Sequence, residues 1–316
     1  MPPTPTQQNR QQLFFIYFMD CQTPQKPGGA PDQTWEVAEL AVRGLYELFA
    51  ERGLEHCLGF CSEPEVARRQ SALLLEMERN GCWQALHFQV RGYRPPGATE
   101  DYDWVRPMTW YDFEEQLTAI TLAKDDWEQS MGMAADSFGA CCAQANDFTF
   151  PILADLGFRQ CYVTAPGRWN PSFEIGHFWH GAFPHTRHCS SKSRLVPGEL
   201  DLYEFPITRG LEQIPAGAPD TWTVTDCRAE AELSFEATMA ICEASVRDQM
   251  RRDHPVLYLH NPTHNTWDVT DRSSGRRRAI ETTIEVGYAL AEKLELELTP
   301  ATLAELHAEA DRLNAY

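Results

Sequence analysis

Strand-like apolar segments alternate with amphipathic helical segments along most of this sequence, and this alternation constrains its fold more than any other feature. Four predicted helices end in a glycine directly before the next apolar segment, at Gly53, Gly81, Gly132 and Gly157. Glycine readily adopts the left-handed conformation that closes a helix and turns the chain back toward a sheet. Repeated strand–helix units predict an α/β protein with a parallel sheet, and about seven or eight units predict a closed barrel.

The predicted elements leave few residues outside one domain. The longest predicted helices span residues 34–52, 64–80, 111–131, 228–252, 276–292 and 299–313. We expect residues 1–12 to be a flexible N-terminal segment and residues 13–316 to form a single barrel domain.

Composition excludes several classes of partner. The formal net charge is −19, whereas a protein that binds nucleic acid needs a basic surface. No apolar stretch reaches the length of a membrane span, and the N-terminal residues lack the order of a signal peptide. Ten cysteines without regular spacing are typical of free thiols in a reducing compartment. We therefore expect a cytoplasmic protein that binds a small molecule or saccharide and no nucleic acid or membrane, with an oligomer left open.

Three predicted strands end in a residue that can transfer protons. Asp20 follows "FFIYFM", His87 follows "GCWQAL", and His260 follows "PVLYL". The C-terminal ends of parallel strands lie on one face of a barrel, so these three residues are predicted to converge there. The pair "CC" at 141–142 also ends a predicted strand, and we interpret it as core cysteine rather than as a nucleophile.

The long segment 165–200 is rich in Pro, His, Trp and Arg, and loops of this length in α/β domains are usually functional. Its histidines could bind a metal through their three-residue spacing, but a substrate pocket is the favoured interpretation. We expect the loop to fold over the barrel mouth. Its predicted substrate-binding residues are Trp169, His177, Trp179, His180 and His185.

Several motifs, in order, resemble those of the polysaccharide deacetylases, carbohydrate esterase family four. "YFMDC" resembles the end of that family's first strand, "GCWQALH" matches the spacing of its first metal histidine, and "LYLH" matches its late catalytic histidine. "FGACCAQANDFTFPILADLGF" resembles its third motif, with Gly139 at the position of the family's arginine.

The resemblance implies a distorted (β/α)7 barrel, a divalent metal, most commonly zinc, and removal of acetyl groups from N-acetylated sugars. It implies that Asp20 and His87 are metal ligands and that Asp20 and His260 are catalytic. Asp20 could replace either the family's base or its metal ligand. Arg91 stands where the family has its second metal histidine, and we assign it to substrate binding.

The resulting prediction is a deacetylase-like hydrolase that removes an acyl group from an N-acylated sugar or a related small molecule. One alternative is a degenerate carbohydrate-binding member of the family. Another is an amidohydrolase that works without a metal.

Overall fold

The computed structural model describes residues 11–24, 33–89, 93, 107–171, 177–216 and 220–313. Over these ranges the chain forms seven α-helices and thirteen strands, numbered in chain order. The helices are α1 (Trp35–Ala50), α2 (Pro64–Arg79), α3 (Phe113–Met131), α4 (Thr149–Asp155), α5 (Phe235–Arg251), α6 (Gly275–Lys293) and α7 (Leu303–Arg312). The strands are β1 (Gln12–Cys21), β2 (Leu58–Ser62), β3 (Trp83–Phe88), β4 (Ser137–Ala140), β5 (Gln160–Tyr162), β6 (Trp169–Asn170), β7 (His177–Phe178), β8 (Arg187–His188), β9 (Tyr203–Glu204), β10 (Ile214–Pro215), β11 (Trp222–Thr223), β12 (Leu257–His264) and β13 (Glu297–Pro300).

In the described part of the chain, seven strands form a parallel sheet in the order β12, β1, β2, β3, β4, β5, β9. β8 lies antiparallel to β9, and β13 pairs with the N-terminal half of β1. Beyond β9 the chain reaches the other edge of the sheet, where the Thr208 N–H donates to the His260 carbonyl over 2.8 Å. The sheet thus curls into a distorted (β/α)7 barrel, and the predicted fold class is confirmed.

The apolar run of β1 is buried on both faces of the sheet. Its odd-numbered side chains, from Leu13 to Met19, pack against the outer helices. Its even-numbered side chains, from Phe14 to Phe18, pack inside the barrel. Each buried phenylalanine contributes about 1.5–3 kcal/mol. Because side chains alternate along a strand, Asp20 continues the even-numbered series and points from the end of β1 into the barrel mouth.

Helix α7 covers the other end of the barrel. Its apolar side chains Leu303, Leu306 and Ala310 belong to the same interior cluster as Phe14. Gln160, the first residue of β5, contacts His307 of this helix. The N-terminal ends of the strands are therefore closed by α7, and their C-terminal ends remain open to solvent.

Most predicted boundaries agree with the structure. All four predicted glycine caps have positive φ, between 65° and 97°. Three boundaries were wrong. β12 continues past His260 to His264. α5 begins at Phe235 rather than 228, because the Ser234 hydroxyl accepts a hydrogen bond from the Ala237 N–H and caps the helix. α7 begins at Leu303 rather than 299, because Thr302 caps it in the same way.

One further segment forms a separate sheet, and another lies outside the described residues. The segment "TWTVTD" contributes β11 to a separate small sheet of order β10, β11, β6, β7. Residues 1–10, most of the predicted N-terminal segment, lie outside the described residues. Within the described ranges, the helices lack the length and apolar character that a membrane span requires.

Candidate active site

Asp20 lies at the C-terminal end of β1 and is held by two neighbours. Its Oδ1 is 3.0 Å from Nδ1 of His87 and accepts a 3.2 Å hydrogen bond from the Tyr162 hydroxyl. Burial is the largest single influence on the pKa of Asp20 and would raise it, but the charge and hydrogen bond of His87, the charge of His264 and the Tyr162 hydrogen bond together bring the pKa below its ordinary value. Burial would likewise lower the pKa of His87, but the charge and hydrogen bond of Asp20, with the charge of Glu63, together raise it above its ordinary value. The two side chains form a buried ion pair, and removing either partner typically costs about 3–5 kcal/mol.

His264 is the last residue of β12 and pairs in register with Asp20. Oε1 of Glu230 accepts hydrogen bonds from Nδ1 of His264 at 2.9 Å and from its backbone N–H at 3.0 Å. This contact leaves Nε2 facing Asp20, 4.0 Å from Oδ2. Burial would lower the pKa of His264, but the hydrogen bond and charge of Glu230 raise it above its ordinary value. Glu230 therefore orients the imidazole and favours its protonated form.

Asp20 and His264 line a cleft of about 160 Å³ at the C-terminal ends of the strands. Gly139 on β4 makes room for the phenol that contacts Asp20, because a Cβ at this position would overlap the ring of Tyr162. The tyrosine ring thus lies directly over the residue that corresponds to the arginine of the resembling motif.

Cys141 and Cys142 form one wall of the cleft, and their Sγ atoms are 3.4 Å apart. Cys142 has a φ of 56°, a conformation that costs a non-glycine residue about 1–3 kcal/mol. The hydrogen bond from the Cys141 thiol outweighs burial and, with the positive charge of Arg168, lowers the pKa of Cys142 to about 6. The prediction of core cysteine is wrong for Cys142, which is exposed.

The cleft wall also carries two arginines, Arg168 and Arg228. Both contact the same carboxylate, because Asp226 accepts a 2.9 Å hydrogen bond from Arg168 and two 2.7 Å hydrogen bonds from Arg228. Two guanidinium groups sharing one carboxylate leave one positive charge in excess among these three side chains, and the Cys142 thiolate beside Arg168 offsets it. The guanidinium groups still offer N–H donors to an anionic ligand in the cleft.

The described residues do not complete the predicted metal centre. Asp20 and His87 lie in direct contact and supply two ligands, whereas catalytic zinc usually has three protein ligands. Arg91, at the position of the second metal histidine, lies outside the described residues. Where the structure describes the chain, no set of three His, Cys, Asp or Glu ligand atoms within 4.8 Å of one another includes Asp20 or His87.

Of the predicted substrate-binding residues in the long loop, His177 lines the cleft, and its Nε2 contacts the carbonyl of Cys142. Trp179 is buried beside the cleft and donates a 2.7 Å hydrogen bond to the Ala143 carbonyl. Trp169 packs edge-on against Phe178 in the small sheet. Only the first part of the loop therefore lies at the barrel mouth.

His180 and His185 lie away from the cleft lining. His180 is exposed and contacts Gln213 through Nδ1. His185 is buried and pairs with Asp248 of α5 at 2.8 Å. The second part of the loop thus packs on the outer helices, contrary to the prediction that the whole loop folds over the mouth.

His260 precedes His264 by four residues on β12, lies deeper in the barrel and does not line the cleft. It is fully buried, and its ring packs against Phe18 with a centroid separation of 4.6 Å. Nδ1 donates to the carbonyl of Phe205 at 3.1 Å. Burial lowers the pKa of His260 to about 4, so the ring is neutral at physiological pH. The structure brings Asp20 and His87 together and places His264, which sequence reasoning missed, where His260 was expected.

No protein-family model matches this chain, and no curated protein matches it. Several solved structures do match. A protein from Mycobacterium smegmatis grouped with the polysaccharide deacetylases is 12% identical and has a TM-score of 0.59, covering 99% of this chain and 95% of its own. A protein from Parabacteroides distasonis grouped with glycoside hydrolases and deacetylases is 11% identical, with a TM-score of 0.67, covering 98% of this chain and 73% of its own.

PuuE allantoinase is a third match, 11% identical with a TM-score of 0.57, and the alignment covers 100% of this chain and 96% of the allantoinase. Identities this low show a shared fold and leave activity and substrate open. The resemblance read from the ordered motifs is confirmed at this level: the chain has the fold of the polysaccharide deacetylases.

Proposed function

We propose that this protein is a hydrolase that removes an acyl group from the nitrogen of an N-acylated sugar or related small molecule. The observation that carries the proposal is the pairing of Asp20 with His264 at the cleft. Hydrolysis of an amide requires one group that accepts a proton from water and another that protonates the leaving nitrogen. An aspartate with a lowered pKa and a histidine with a raised pKa have the required opposite protonation at rest.

In this mechanism Asp20 accepts a proton from the attacking water through Oδ2. Its other oxygen is held by His87 and Tyr162, which fix the orientation of the carboxylate. As the C–N bond breaks, His264 donates its Nε2 proton to the nitrogen, and Glu230 stabilises the imidazolium before transfer. The products are a carboxylic acid and an amine. This assignment replaces His260, which is buried below the cleft, by His264.

Arg168 and Arg228 favour a substrate that carries an anionic group, such as an N-acyl amino acid or an N-acylated sugar acid. A carboxylate that displaces water at this wall would gain charge-assisted hydrogen bonds. Because the described residues bring only Asp20 and His87 together as ligands, fewer than catalytic zinc usually has, no step of this mechanism uses a metal.

A panel of N-acetylated compounds, each offered in a neutral and a carboxylated form, tests the proposal by the appearance of free amine. We expect turnover of carboxylated substrates that falls about 10²–10⁴-fold in Asp20→Asn and in His264→Gln. His180→Gln is the matched control, because this histidine is exposed outside the cleft. Melting temperatures of all four proteins separate lost chemistry from lost folding. Full activity in either cleft variant would refute the assignment.

A second candidate function is binding of a carbohydrate-like ligand without turnover. The direct contact between Asp20 and His87, at 3.0 Å, favours binding without turnover, because the charge of the carboxylate is neutralised by the imidazolium before any substrate enters. Compounds of the same panel that raise the melting temperature without releasing amine would support binding alone.

A further inference from the structure

A second cluster of titratable side chains lies at the other end of the barrel, away from the cleft. His188 is on β8, and His307 and Asp311 are on α7. His188 pairs with Tyr203, the first residue of β9, and His307 contacts Gln160, the first residue of β5. The cluster therefore lies at the N-terminal ends of the strands, whereas Asp20 and His264 lie at the C-terminal ends.

The three side chains are spaced as metal ligands are. Nε2 of His188 is 2.9 Å from Oδ1 of Asp311, and Nε2 of His307 is 3.7 Å from Oδ2 of the same residue. One ligand atom from each residue lies within 4.8 Å of the other two. Zinc–nitrogen and zinc–oxygen bonds of about 2.0–2.2 Å in a tetrahedral site place ligand atoms roughly 3.3–3.5 Å apart. Small side-chain rotations would bring these atoms to that spacing.

Both imidazoles are already oriented toward the cluster. Nδ1 of His188 donates a 2.9 Å hydrogen bond to the Leu200 carbonyl, which orients Nε2 toward Asp311, and zinc would replace the Nε2 proton that Oδ1 of Asp311 now accepts. Tyr203 packs against both rings, stacked on His307 and edge-on to His188, with centroid separations of 5.0 Å in each case. The positions of both rings are therefore set by contacts within the protein and do not require a bound ion.

His307 supplies the strongest indication of a ligand. The residue is 2% exposed, and its Nε2, which faces Asp311, has no hydrogen-bond partner among the described residues. Gln160 contacts Nδ1 at 3.2 Å, and turning its amide would let its oxygen accept the Nδ1 proton. Ser137, the other partner of this amide, can donate or accept and tolerates either orientation.

We propose that His188, His307 and Asp311 bind one zinc ion, with water as the fourth ligand. Asp311 is half-exposed, so solvent can reach the open position. Two imidazoles and one carboxylate suit zinc better than the harder calcium or magnesium, which prefer oxygen ligands. The ion would join α7, which closes the barrel, to β8. This site is independent of the proposed hydrolase activity.

A second ligand cluster, Cys161, Cys189 and Glu204, is a weaker candidate. Glu204 already accepts hydrogen bonds from the Val163 and Thr164 N–H groups and from the Cys161 thiol. All three residues are fully buried, with no open position for solvent.

The test is a titration of the full chain, first stripped with a chelator, with zinc chloride in a calorimeter. We expect one site per chain in the wild type. Changing a residue that supports a metal ligand typically costs about 10–100-fold in affinity, and Asp311→Asn, which changes a ligand itself, should cost at least as much. Zinc should also raise the melting temperature of the wild type and not that of Asp311→Asn. His307→Gln, read with its melting temperature in the absence of metal, should abolish binding as well.

His56→Gln is the matched control, because His56 also pairs with a carboxylate of α7, Glu305, at 2.7 Å but belongs to no group of three ligands among the described residues. It should bind zinc as the wild type does. Absence of stoichiometric binding, unchanged affinity in Asp311→Asn, or loss of the site in Asp20→Asn would each overturn the proposal, the last by placing the ion in the cleft.

Discussion

Cys142 offers a test of the cleft's electrostatics that needs no knowledge of the substrate. Eight of the ten cysteines are buried, and Cys141 is half-buried with a raised pKa, so an alkylating reagent should modify Cys142 first. With a pKa of about 6, Cys142 is about 90% thiolate at pH 7, against a few per cent for an ordinary cysteine. That is roughly a 30-fold larger thiolate fraction.

The rate at pH 7 would nevertheless be a poor measure of this difference. Nucleophilicity falls with pKa at a Brønsted coefficient of about 0.4–0.5, so a drop of about 2.5 pKa units costs roughly 10–20-fold in intrinsic reactivity. The two effects leave a net gain of only about two- to threefold. The informative quantity is the midpoint of the pH–rate profile for iodoacetamide, with mass spectrometry to locate the modified residue.

We expect a midpoint near pH 6. The largest cause of the low pKa is the hydrogen bond from the Cys141 thiol, and the charge of Arg168 is smaller. The midpoint should therefore rise more in Cys141→Ala than in Arg168→Gln, and Cys141→Ser, which keeps a donor, should stay closer to the wild type. A wild-type midpoint near 8.5, or equal profiles for Cys141→Ala and Cys141→Ser, would refute this account of the cleft.

Two further predictions concern the barrel interior. Gly139→Ala should displace the Tyr162 ring, because the new Cβ would overlap it, and overpacking of this kind typically lowers the free energy of unfolding in urea by about 1–3 kcal/mol. Gly287→Ala is the comparison, because this glycine lies within α6 and its new Cβ would come no closer than 3.4 Å to Phe15. Equal free energies of unfolding for the wild type and Gly139→Ala would contradict the clash. His260 has a folded pKa of about 4 against an ordinary 6.5, so the unfolded chain binds this proton first as the pH falls, and stability present at pH 7 is lost toward pH 4. The loss should be about 1 kcal/mol at pH 5.5 and about 3 kcal/mol at pH 4, and it should be missing in His260→Gln, whose pH curve would otherwise run parallel to that of the wild type.

The sequence predicted the barrel because both signals that define it are local. The run from Leu13 to Met19 is apolar at every position, as a strand buried on both faces must be, and the helix ends carry glycines that adopt positive φ. Asp20 and His87 could be predicted for the same reason, since each interrupts or ends such a run and strand ends converge in a parallel barrel.

His264 could not be found in this way, because Pro262 interrupts the pattern of β12 and prolines are unfavourable inside sheets. The pattern therefore predicts a strand that ends at His260. The available signal was the two-residue period of a strand, which places His260 and His264, four residues apart, on the same face. Glu230 and Arg168 come from irregular segments whose path depends on tertiary contacts, and the pairing of His188 with α7 joins residues over 100 positions apart.

The ring of Tyr162 occupies the space that a side chain at position 139 would need, and this limits how the cleft can change by mutation. A return to the arginine of the resembling motif would require a long side chain where the tyrosine ring now lies. Changing residue 139 first would create a clash, and shortening Tyr162 first would open a cavity and remove a hydrogen-bond donor from Asp20. Either single step is unfavourable, so the two positions are coupled by sign epistasis. Gly139 and Tyr162 are therefore expected to change together rather than one at a time.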